Sequence, residues 1–228
     1  MADNVAITAG SGTTIATDDI AGVHYQRVKL VDGTLDGTGA IGGDAGNGLD
    51  VDVTRIAAGE NHLGEVGGKT SAINGSFTRP ANTTQYAAGD AVSDSSAPIT
   101  FASIARINNG SGVITGAILV DSANQSTKGQ FELWLFDTSP AVDTDNAAFT
   151  PTDAECATLI GVIPFNVAYV GDATAGAGGN AVYPAQGLSL PFKCTGGTDD
   201  IFGLIVVRNA YTPVSSEAFT VRLNVLQD

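Results

Sequence analysis

The residues that most suggest chemistry are Lys69 and Thr70, which follow a glycine pair in the stretch ENHLGEVGGKTSAING at positions 60–75. Glycine, lysine and a hydroxyl side chain in that succession end a phosphate-binding P-loop, where backbone N–H groups wrap the phosphate and the lysine clamps it. The loop needs its first glycine five residues before the glycine that precedes the lysine. That place holds Leu63, with Gly64 one residue late. A buried strand must also lead in and a helix must lead out, and neither TRIAAGENH nor SAINGSF supplies them. Nucleotide binding is not expected, and Lys69 reads as a solvated linker charge.

The other reactive groups are no better placed. The two histidines, His24 and His62, both fall in a glycine-rich region, where a general base lacks the fixed position that supplies much of its rate. No Gly-x-Ser-x-Gly elbow occurs, and the residues after His24 match no metal-ligand spacing. DTDN at 143–146 and DVD at 50–52 place carboxylates two apart; clustered oxygens suit calcium, but neither stretch extends into a full calcium loop. GAGG at 176–179 has no buried strand before it and no helical pattern after it, so it reads as a flexible loop and not as a dinucleotide fingerprint. Cys156 and Cys194 are too few for a disulfide framework and are expected as buried reduced thiols. The chain is therefore read as non-enzymatic, with no catalytic residues, no metal and no cofactor.

Composition narrows the partners. Ten Lys and Arg against 24 Asp and Glu leave a formal charge of -14 over 228 residues. Phosphate neutralisation needs clustered cations, so no nucleic-acid partner is expected, and an acidic surface also repels anionic membranes. No apolar run approaches the roughly 20 residues of a membrane span, and MADNVAITAG lacks the basic and apolar regions of a signal peptide. The product is expected to be made in a cytoplasm and kept there, or to leave by lysis.

The elements that would position any site divide the chain in two. Of the fifteen Phe, Tyr and Trp residues, only Tyr25 precedes residue 76, and the same region holds fifteen of the 29 glycines. Glycine imposes the largest backbone entropy cost on ordering, so such a segment gains order chiefly on a partner. Two pieces of it alternate as strands, GVHYQRVKLVD at 22–32 and LDVDVTRIA at 49–57, and are expected to pair as a marginal ribbon. From Phe77 onward the pattern changes to seven β-rich runs, at 97–107, 112–122, 130–137, 159–167, 188–194, 200–211 and 218–228. Seven short strands with turn residues between them suit a β-sandwich. In the last run Phe219, Val221, Leu223 and Val225 share one side and Thr220, Arg222 and Asn224 the other, as in a half-buried antiparallel strand. A short helix is expected in FTPTDAECATLIG, with Thr150 as cap, Pro151 at the first helical position, and Asp153 and Glu155 at the positive end of the dipole. The links at 137–150 and 170–187 are long enough to be functional or mobile loops.

Several stretches carry a family resemblance. MADNVAITAGSGTTIATDDIAGVHYQRVKLVDG, FTRPANTTQYAAGDAVSD (77–94), INNGSGVITGAILV (107–120) and LFDTSPAVDTDNAAFT (135–150) resemble structural proteins of tailed bacteriophages, in an arrangement similar to capsid decoration or cement proteins. The resemblance implies a virion protein on the capsid exterior, whose partners are the major capsid protein and its own copies in a homotrimer. With the residue pattern it gives an expected all-β fold: a jelly-roll-like antiparallel β-sandwich at 76–228, preceded by a long extended glycine-rich arm at 1–75. The arm would anchor on the capsid by β-augmentation through His24, Tyr25, Arg27, Val28 and Leu30, and Gly67, Gly68 and Gly75 would form the hinge. The alternative is a tail or fibre component that binds a host-surface carbohydrate, with Tyr169, Tyr183 and Tyr211 as stacking residues.

Overall fold

Alternation between more and less buried positions marks the long strands Lys69–Thr78, Ser111–Asp121 and Ala218–Gln227. The computed structural model describes residues 17–26 and 68–228, which belong to two compact units, Met1–His62 and Leu63–Asp228. In the first unit, β1 (Thr17–Ile20) pairs antiparallel with β2 (Val23–Gln26). The partner expected for the second of these was 49–57; that segment lies outside the described residues, as does most of the expected arm.

In the second unit the strands are β3 (Lys69–Thr78), β4 (Ala91–Val92), β5 (Ile99–Phe101), β6 (Ser111–Asp121), β7 (Phe131–Phe136), β8 (Leu159–Phe165), β9 (Tyr169–Asp172), β10 (Asn180–Lys193), β11 (Ile201–Val207) and β12 (Ala218–Gln227), with one short helix, α1 (Asp153–Cys156). They form two antiparallel sheets. One runs β3-β12-β6-β10-β9; the other runs β4-β11-β7-β8, with β5 beside β4 on the same edge of β11. Along the sequence the chain passes repeatedly from one sheet to the other, so that the first and last strands lie side by side. That order is a jelly roll of interlocked Greek keys, and the expected jelly-roll-like sandwich is the observed fold.

The core lies between the sheets. Phe219, Val221, Leu223 and Val225 of β12 are fully buried, as are Leu119 of β6, Phe131, Leu133 and Leu135 of β7, and Ile201 and Val207 of β11. Phe131 is the centre of an aromatic knot, edge-on to Tyr183, Tyr211 and Phe219 at centroid distances of 5.4, 5.7 and 5.4 Å. All seven expected runs overlap an observed strand.

Three expectations are corrected. The boundary at 76 falls inside β3, whose full length pairs with β12 from Thr78↔Ala218 to Lys69↔Gln227. β3 is an edge strand that packs only Ile73, Gly75 and Phe77 toward the core, too few large apolar residues to announce a strand. The link at 170–187 contains the hairpin of β9 with the first half of β10, and GAGG forms its turn. The helix starts later than expected: Thr152, not Thr150, is the cap. Its side chain accepts from the Glu155 amide while Glu155 reaches back to the Thr152 amide in a capping box.

Gly75 is the tightest point of the β3 packing. A Cβ there would stand 2.4 Å from Ile99 Cγ2 and 3.1 Å from Phe101 Cε1, so only glycine lets this strand approach β5. Gly75→Ala is expected to lower stability by about 1–3 kcal/mol, the usual cost of overpacking, as read from chemical denaturation. A chain starting at Gly68 keeps β3 whole and should unfold cooperatively. One starting at Ser76 leaves β12 with an uncovered edge and should melt at lower temperature or without a cooperative transition.

Candidate functional site

The docking segment expected from the sequence falls on the β1–β2 hairpin. Its two-residue turn, Ala21-Gly22, has φ of 54° and 83°, the left-handed pair of a type I′ turn, whose twist matches that of the flanking strands. The register sets Ile20 opposite Val23 and Asp18 opposite Tyr25. Since side chains alternate faces, Ile20, Val23 and Tyr25 share one face, with Asp18 at its end. They are 59%, 48% and 54% exposed, so the hairpin carries an apolar strip open to solvent. His24 lies in β2 opposite Asp19, while Arg27, Val28 and Leu30 lie outside the described residues.

Of the expected hinge, Gly67 also lies outside them. Gly68, with φ of +79°, directly precedes β3. Gly75 is buried within β3 and is no hinge: ladder hydrogen bonds to β12 and the contact with β5 hold it on both sides. Lys69 and Thr70, which open the same strand, pair with Gln227 and Leu226, so the apparent phosphate motif is a sheet edge.

Two buried charged clusters organise one end of the sandwich. In the first, Arg79 leaves β3 and ion-pairs with Asp145 at 2.8 Å, both side chains almost wholly buried. Arg79 also donates to the Tyr86 hydroxyl and to the Val214 carbonyl at 3.3 Å, while Asp145 accepts from Tyr86 at 2.5 Å and from the Ser93 amide at 3.2 Å. The second cluster joins Asp121, Tyr211 and Glu217, all buried. The Tyr211 hydroxyl touches both carboxyls, lying 3.2 Å from Asp121 Oδ2; Glu217 accepts from the Val214 amide at 3.1 Å and Asp121 from the Ala123 amide at 2.9 Å.

One phenolic proton cannot satisfy two carboxylates, so this second cluster holds a further proton. Burial first, and then the hydrogen bond and charge of Glu217, push the Asp121 carboxyl far above the usual carboxylate range. Burial followed by the charges of Asp121 and Glu217 likewise raises the Tyr211 and Tyr183 hydroxyls.

The remaining candidates take structural posts. Asp143 of the expected calcium stretch accepts from the Thr150 amide and hydroxyl at 3.0 and 3.1 Å, and Asp145 belongs to the buried ion pair; the DVD stretch at 50–52 and His62 lie outside the described residues. Tyr183 and Tyr211, offered for sugar stacking, are fully buried in the core, where no ring face is open; Tyr169 is 60% exposed. Cys194 is buried and Cys156 exposed, which corrects half of the thiol expectation, because α1 buries none of its residues. Among the described residues no three His, Cys, Asp or Glu side chains gather as a metal site, and no helix is long and apolar enough to cross a membrane.

No protein-family model and no curated protein matches the chain. Among solved structures, the capsid asymmetric unit of cyanophage Pam1 is similar over 79% of this chain and 98% of that chain, with 15% identity and a TM-score of 0.32. The fold assignment stands on the strand order alone.

The shared proton sets a pH dependence. A carboxyl whose pKa is raised on folding contributes stability that is complete below the unfolded aspartate value, about pH 4, and is lost as pH rises toward the folded value. The contribution of this cluster to stability is expected to fall from acid pH through neutrality. Asp121→Asn keeps an acceptor for the Ala123 amide and a donor for the cluster but cannot ionise. Its denaturation midpoint should change less between pH 5 and pH 8 than that of the wild type, the general repulsion of an acidic chain being common to both.

Proposed function

We propose that the protein is a non-enzymatic component of a tailed-bacteriophage virion that decorates the outer surface of the capsid and stabilises the shell. The observation that carries this reading is the hairpin strip of Ile20, Val23 and Tyr25, an apolar face left open on a two-stranded ribbon that is marginal without a partner. The sequence resemblance supports the nature of that partner, a major capsid protein. It also supports a homotrimer as the assembled form, and the jelly-roll sandwich suits a unit that stays folded while displayed.

In this reading the hairpin docks by its apolar face, and Tyr25 contributes disproportionately, as aromatic residues at the centre of interfaces commonly do. The acidic charge discourages clustering with like molecules away from the particle. Ile20→Ser with Tyr25→Ala removes most of the strip without altering the Ala21-Gly22 turn. The double variant is expected to melt like the wild type in the Leu63–Asp228 unit and to bind undecorated capsids with a dissociation constant raised about 30-fold or more, the scale of a lost interface anchor. Unchanged occupancy across a titration through the midpoint would refute docking by this hairpin. Copy number per particle, from quantitative gel or mass measurements, checks the location: hundreds of copies accord with decoration and a handful with the tail.

A further inference from the structure

Beside the two buried clusters, the loops that leave β3, β6 and β11 enclose an open cleft of about 660 Å³. Thr83 and Gln85 line it from the first loop, Gln125 and Thr127 from the second, and Thr212 and Ser215 from the third; no charged side chain lines it. None of these six side chains hydrogen-bonds to another described residue, so hydroxyl and amide groups from three loops face one space with their donors and acceptors uncommitted.

The walls of the cleft are fixed from beneath. Val214, which also lines it, is held by its carbonyl to buried Arg79 and by its amide to buried Glu217. On the other wall the Lys128 ammonium donates to Asn124 Oδ1 at 2.6 Å and to the Gln125 carbonyl. Asn209 ties the end of that loop to β11's exit, donating to the Lys128 carbonyl at 2.9 Å and accepting from the Gln130 amide at 2.7 Å. Arg79, Glu217, Lys128 and Asn209 thus hold the loop backbone, and the polar side chains that line the cleft are neutral. Loop backbone that is already held spares a ligand the cost of ordering it, and the exposed side chains settle on binding.

We propose that this cleft binds a neutral saccharide, through hydroxyl and amide hydrogen bonds from the loops at 83–85, 125–127 and 212–215. The chemistry selects the ligand class. Sugar hydroxyls both donate and accept, as Thr, Ser and Gln side chains do, and with no cation in the cleft of an acidic protein an acidic sugar would be repelled. An extended peptide fits less well, since peptides are held chiefly by a free strand edge, and these walls are loops whose hydroxyl and amide groups stand beside Ala210, Pro213 and Val214. All the lining of the cleft comes from the Leu63–Asp228 unit, so glycan binding there does not rest on capsid docking by the hairpin.

The test is an amide-resolved NMR titration of the full-length protein with D-glucose, D-galactose and N-acetyl-D-glucosamine, each to high millimolar concentration, with N-acetylneuraminic acid and a Gly-Ser peptide as comparators. At least one neutral sugar should shift the amides of 83–85, 125–127 and 212–215 saturably, with the acidic sugar inert. Thr127→Val with Thr212→Val keeps side-chain shape and removes two hydroxyls, and should weaken that binding about tenfold with an unchanged melting temperature. If the valine pair disturbs folding, Gln85→Ala with Gln125→Ala provides the same reading. The proposal is overturned if none of the three sugars shifts these amides, if a folded variant binds as the wild type does, or if the peptide shifts them more strongly than every sugar.

Discussion

The Arg79–Asp145 ion pair joins parts of the chain that nothing in the sequence brings together. Arg79 emerges from an edge strand, Asp145 sits in the long connection after β7, and the same guanidinium reaches Tyr86 and the carbonyl of Val214. A buried guanidinium is tolerable only when paired and hydrogen-bonded throughout, so these segments must stay assembled around it together. Removing one partner of such a pair typically costs about 3–5 kcal/mol, because the other charge is left buried and unmatched. The interaction is better understood as a requirement for one arrangement of loops than as a net source of stability.

The second buried cluster works on the same loop from the opposite side. Glu217 takes the amide of Val214 and Arg79 takes its carbonyl, so one residue of the β11–β12 connection has both backbone groups committed to charged side chains. Around them Tyr86 stacks on Tyr211 at 6.1 Å, and the two tyrosines also exchange backbone hydrogen bonds. Aromatic rings, carboxyls and backbone together close the end of the sandwich that an aliphatic core alone would leave frayed. The Val214 wall of the polar cleft rests on this closure.

The chain therefore separates two kinds of surface. The sandwich buries its main apolar core between two sheets, although Ile107, Val167, Tyr169 and Val170 stay exposed on it, and the hairpin of the first unit leaves Ile20, Val23 and Tyr25 in solvent. Apolar area left open costs free energy until it is covered, which gives the hairpin a reason to bind. A pre-folded unit for display and a marginal ribbon for attachment suit the proposed virion role, and both follow from where the aromatic residues fall along the sequence.

Sequence by itself determined the β-sandwich and its seven main strands, because alternation at period two is a local property: Phe219 to Val225 announce their buried side without knowledge of any neighbour. The same alternation puts Asp121 on the inward side with Ala117 and Leu119, a local signal for a buried carboxyl. Only the tertiary structure decided what such residues do. That Asp145 of a calcium-like stretch belongs to Arg79, that Tyr183 and Tyr211 are core and not sugar platforms, and that Gly75 is a packing position and not a hinge all depend on contacts between distant segments. β3 carries little signal of its own for a related reason. As an edge strand it takes its order from ten cross-strand pairs with β12, and that pairing is a property of the partner strand as much as of its own residues.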